Sequence, residues 1–143
     1  VRPRDTRLQV AWAITGIGDS WAVVHPVCAD YDGRRLVAPS GFLTDLASTP
    51  RKAWAIFPPF GRYSAAAILH DYLYATHADA DGRPMTRKEA DRAFLGLMIE
   101  GGTRIWRAVL FHRMVRIFGG KPWRTGPGRL AAQPDLTKET PDA

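Results

Sequence analysis

The chain has 143 residues, 45% hydrophobic and 24% charged, with one cysteine, Cys28, and a formal charge of +6. That length suits one domain that buries about 68–70% of its unfolded surface without staples. A single thiol excludes an intrachain disulfide and fits a reducing compartment, and no run of about 18 apolar residues is present to span a bilayer.

The opening, VRPRDTRLQV, is positively charged but lacks the apolar stretch of a secretory signal. Residues 8–15 and 21–28 are rich in Val, Ile, Trp and Ala and read as strands joined by a turn at Gly16–Asp19. Pro26 pushes the second run toward a sheet edge or a bulge. Tyr31-Asp32-Gly33 is a hairpin turn, and Arg34 to Ala38 returns as a strand. His25 in this region is expected to be structural.

Pro39-Ser40-Gly41 breaks the strand and leads to Asp45, in a loop of small and hydroxyl residues. Asp45 reads either as a turn carboxylate satisfying backbone amides or as a carboxylate presented to the helices that follow. Thr49-Pro50 has the form of an N-cap with proline at the first helical position, opening a short helix. The aromatic corner FPPFGRYS then closes a core or meets a partner.

Two longer helices follow, Ser64–Thr76 and one opened by the capping-box pair Thr86 and Glu89. On the first, His70, Leu73, Tyr74 and His77 share a face, with Asp71 at its margin; on the second, Asp91, Phe94, Leu95 and Met98 share one. An uncompensated carboxylate at Asp91 would be expensive, and a histidine on the facing helix is its natural partner. The turn between the helices, HADADG, is out of step with a calcium loop and reads as a solvated connection.

A last helix, roughly 103–118, ends at Gly119-Gly120. Its apolar residues spread around most of the circumference and its arginines do not segregate, as in a helix contacted on several sides rather than one lying on a membrane. Residues 103–124 carry six basic side chains and no acid. This favours an anionic partner, nucleic acid, anionic lipid or an acidic protein, or else marks a solvated basic face. The expected fold is α+β: a small N-terminal antiparallel β-meander, then three or four packed α-helices. Residues 1–124 form one globular domain (8–38 mainly strands, 50–118 mainly helices) and residues 125–143 a flexible C-terminal tail.

A histidine held by a carboxylate from another helix can serve as a general base, taking a proton from water through its other ring nitrogen. In a second reading, Asp45, His70, Asp71 and Asp91 bind a divalent metal whose water becomes the nucleophile; mixed nitrogen and oxygen ligation suits Zn²⁺ or Mn²⁺ better than Ca²⁺. In a third, the His–Asp pair only locks two helices together.

The blocks SGFLTDLASTPR, GRYSAAAILHDYLY and EADRAFLGLM, in that order, resemble an uncharacterised family of small proteins of tailed bacteriophages and prophages. This implies phage or prophage origin, a place in the host cytoplasm or the virion, and phage structural proteins as partners. More locally, His70-Asp71-x-x-Tyr74 followed by Ala90-Asp91-x-x-Phe94 is similar to the catalytic helices of phospholipase A₂. That resemblance implies His70 as the water-activating base, Asp91 as the carboxylate orienting it, Tyr74 in the supporting hydrogen bonds, and Asp71 as a Ca²⁺ ligand. The stretch matching the calcium loop of those enzymes, PRKAWAI, has no glycine, so Asp45 replaces its carbonyls or the metal differs. The expected function is a metal-assisted hydrolase of an ester bond, such as that of a phospholipid. The alternative is a non-enzymatic virion, tail or assembly protein with a structural His–Asp pair and a basic docking helix.

Overall fold

The structure is a computed structural model and describes residues 21–23, 25–44 and 64–133. Asp45, the run 8–15, the Thr49-Pro50 helix start, the aromatic corner up to Tyr63 and residues 134–143 lie outside the described residues.

Among the described residues four strands precede four helices: β1 (Trp21–Ala22), β2 (Val27–Tyr31), β3 (Arg34–Ala38), β4 (Leu43–Thr44), α1 (Ser64–Thr76), α2 (Arg87–Glu100), α3 (Ile105–Phe118) and α4 (Gly120–Ala132). This is the α+β arrangement expected. The strands form two antiparallel pairs, β2 with β3 and β1 with β4. In the hairpin, Tyr31 faces Arg34 across a two-residue loop, and both loop residues take positive φ (Asp32 at 51°, Gly33 at 71°), as a type I′ turn requires. Pro26 falls just before β2, where its missing N–H disturbs no ladder. His25 is exposed.

Helix α1 is the centre of the molecule. Ala66 through Asp71 and Leu73 through Ala75 are all buried. Leu36 and Ala38 of the hairpin pack with Ile68, Leu69 and Leu73 in one core, while Ala66, Ala67, Phe94, Met98, Ala108 and Phe111 join α1, α2 and α3 in a second. Helix α2 opens with the capping box read from sequence: the Thr86 hydroxyl accepts from the Glu89 amide, and the Glu89 carboxylate accepts from the Thr86 amide. The connection before it is less solvated than expected. Asp79 is buried, accepting from the amides of Asp81 and Arg83 and from Arg34 Nε at 2.9 Å. Arg34 also reaches Glu89 and the carbonyls of Arg83 and Pro84. Among the described residues no helix is long and apolar enough to cross a membrane.

The tail expectation needs correction over residues 125–132, which are helical within α4. Its sequence, GKPWRTGPGRLAA, holds three glycines and two prolines and would not form a stable helix alone. Tertiary contacts override that preference. Pro122 lies in the first turn, where amide hydrogens have no helical partner anyway. Gly126 lets α4 lie directly on α1: a Cβ there would sit 2.1 Å from the Tyr74 carbonyl oxygen. The Gln133 side chain then pairs with both backbone groups of Leu43 in β4.

Candidate functional site

Three of the sequence-derived site residues converge. His70 and Tyr74 stand one turn apart on α1, and Asp91 stands one turn into α2. His70 Nε2 lies 2.7 Å from Asp91 Oδ1, and the Tyr74 hydroxyl donates to the same oxygen at 2.6 Å. The imidazole rests between two rings, stacked on Phe94 at 4.5 Å between centroids and tilted against Tyr74 at 4.3 Å. His70 is 3% exposed and Asp91 0%.

The second oxygen of Asp91 belongs to arginines. Arg116, in the last turn of α3, donates through Nη1 to Oδ2 at 2.7 Å, and Arg87 Nε stands 3.8 Å away. Arg87 also donates to the carbonyls of Val115 and Arg116, tying the start of α2 to the end of α3. Burial pushes the Asp91 carboxyl up, but hydrogen bonds from His70 and Tyr74, with Arg116, outweigh it and hold the group below the usual carboxylate range. Burial, followed by Asp91, pushes the Tyr74 phenol well above its ordinary value, so it stays a donor. An ionised carboxylate only accepts, which assigns the proton of neutral His70 to Nε2 and leaves the lone pair on Nδ1.

His112, one turn before Arg116 on α3, also feels this cluster. Burial pushes its imidazole below the ordinary value; Asp91 opposes the shift, and Arg116, His70 and Arg92 reinforce it.

Asp71 does not join the dyad. It lies on α1 toward α4 and accepts from Arg129 Nη2 at 2.5 Å. Among the described residues no group of three His, Cys, Asp or Glu side chains could hold a metal ion. Asp71 faces a guanidinium, and Asp45, the other candidate ligand for a divalent cation such as Ca²⁺, Zn²⁺ or Mn²⁺, lies outside the described residues.

Sequence reasoning missed Arg87, Arg116, Arg129 and His112. Arg87 was accessible, since it precedes Asp91 by four residues on one helix face. Arg116 and Arg129 carry no local mark. They look like surface charge until the fold turns them toward carboxylates on α2 and α1.

No curated protein and no solved structure matches the chain. A family model described as a protein of unknown function (DUF1353) matches residues 21–115, which include the hairpin, His70, Tyr74 and Asp91. With more than half of its length matched, the chain belongs to the DUF1353 family.

Proposed function

We propose that this protein is a phage- or prophage-encoded hydrolase in which His70 is the general base. The observation that carries the reading is the 2.7 Å contact between His70 Nε2 and an Asp91 already fixed by Tyr74 and Arg116. Such a carboxylate holds one tautomer of the imidazole and stabilises its cation. His70 Nδ1 takes a proton from water as the oxygen attacks an ester carbonyl, and the imidazolium returns that proton to the departing alkoxide. An ester bond, such as that of a phospholipid, is the substrate class. A divalent cation (Ca²⁺, Zn²⁺ or Mn²⁺) enters this reading only through Asp71 and Asp45, and its binding requires the Asp71–Arg129 pair to open.

The test is hydrolysis of nitrophenyl esters and of phospholipid vesicles, with and without each cation. Removing a general base lowers the rate by about 10²–10⁴-fold, so folded His70→Gln protein loses nearly all turnover. No turnover by the parent on either substrate, or full turnover by His70→Gln, rejects the reading.

A second reading is a non-enzymatic virion, tail or assembly protein. It is favoured by the number of donors around Asp91, which would lock three helices whether or not chemistry occurs there. Under it the basic segment 103–124 docks on phage structural proteins, anionic lipid or nucleic acid, in the host cytoplasm or in the particle. Co-purification with assembled particles, combined with unaltered assembly by His70→Gln, supports this reading.

A further inference from the structure

Helix α3 buries Ala108 and Phe111 against its neighbours, but its other side is open. Trp106, Leu110 and Ile117 are 56%, 39% and 72% exposed. At about 100° per residue they fall within about 40° of one another on the helix circumference. Arg113, also exposed, falls about 20° outside that arc on the Trp106 side, so 106, 110, 113 and 117 form a stripe about 60° wide with steps of four, three and four. Ile105 and Phe118, at 67% and 73%, flank its ends. This departs from the expectation that α3 is contacted on several sides.

Three occupants could cover such a stripe, and Arg113 separates them. A bilayer would have to take up the guanidinium that borders the apolar residues midway along the stripe, where a charge is costly. A second copy of the chain would bring together two helices from segments of six basic residues and no acid. A helix with apolar residues at matching steps and carboxylates beside them satisfies both the shape and the charge. Steps of three and four are those by which one helix receives another along a seam. The guanidinium of Arg107, 5.4 Å from the centre of the Trp106 ring, adds positive charge to the rim.

We propose that the outer face of α3 is a docking surface for an amphipathic helix of another protein, apolar along one side and acidic beside it. This inference stands apart from the hydrolase reading, because the stripe residues are exposed whereas His70 and Asp91 are buried.

The probes are two synthetic helical peptides with the same leucine heptads, one carrying Glu and the other Lys at the flanking positions. Titrated into the full chain, the Glu peptide binds at least about tenfold more tightly than the Lys peptide, a difference of about 1.4 kcal/mol. Raising the salt concentration narrows the gap. Arg113→Glu reverses the preference, and Ile117→Ser weakens binding of the Glu peptide. These side chains are exposed, so folding is retained, as circular dichroism and thermal melting would verify. Equal binding of both peptides, no binding of either, or no response to Arg113→Glu overturns the proposal. So does a dimer of the free chain dissociated by Ile117→Ser, or co-sedimentation with phosphatidylglycerol vesicles that depends on Trp106.

Discussion

His77 Nε2 lies 2.9 Å from the carbonyl oxygen of Trp123, the carbonyl that Pro127 leaves without its helical donor. In a regular helix the amide of residue 127 would fill that place, but proline has no N–H. A carbonyl only accepts, so His77 carries its proton on Nε2. The same histidine ends α1 at a φ of 56° and stacks on the Trp123 ring at 3.6 Å between centroids. One side chain thus repairs a defect in α4 and fastens that helix to α1.

His77→Phe keeps a ring for Trp123 but removes the donor. An unsatisfied, partly buried carbonyl costs about 1 kcal/mol or more, measurable as a lower urea midpoint. In a Pro127→Ala background the backbone amide returns to Trp123, and the cost of His77→Phe shrinks. Equal costs in both backgrounds would show that stacking alone explains the pair.

Asp91→Asn leaves the partly exposed Arg116 facing an amide and is expected to destabilise the fold by about 1.5–3 kcal/mol, as loss of a hydrogen bond to a charged group does. The pH dependence has a definite sign. Because the folded carboxyl is held below its usual value, its contribution is complete above about pH 4 and is lost as pH falls through the lower folded value. Urea unfolding of the parent between pH 2 and 7 should show that acid loss, and Asp91→Asn should flatten it.

His112 provides an independent report on the arginines. Its imidazole is held below the ordinary value chiefly by burial, with Arg116 adding to the effect. Arg116→Gln should therefore move the His112 titration, followed by NMR, upward but not fully back. A group depressed in the fold also favours the folded state as pH rises through the ordinary histidine value near 6.5, and substituting His112 by Phe should remove that increment.

Two glycines of α4 should respond in opposite directions. Gly126→Ala drives a methyl group into the Tyr74 backbone, 2.1 Å from its oxygen, where neither helix can yield without separating. A loss of about 1–3 kcal/mol is expected, as for overpacked cores. A Cβ at Gly128 meets nothing within 4 Å, so Gly128→Ala should gain up to about 1 kcal/mol of helix propensity. Thermal melts of the two variants against the parent decide the matter.

The parts legible from sequence are those written in local spacing. The hairpin followed from Asp32-Gly33, the start of α2 from Thr86 and Glu89, and the meeting of His70, Tyr74 and Asp91 from apolar positions repeating at three and four residues. Helix α4 was not legible, because its glycines and prolines argue for coil and only contacts with Tyr74, Asp71 and Leu43 argue otherwise. The arginines around Asp91 were hidden for a related reason: Arg116 belongs to a segment whose charge reads as solvated until α3 closes on α2.

Arg34 shows when the parts must come together. Its bonds to Asp79 and Glu89 bridge 45 and 55 residues of chain and join the hairpin to the helical pair. Our prediction is that they form after the folding transition state, in which case their loss accelerates unfolding while leaving refolding nearly unchanged. Stopped-flow chevrons of Arg34→Met should therefore steepen nothing and shift only the unfolding arm, which would make this single guanidinium a determinant of how long the native molecule lasts rather than of how quickly it is reached.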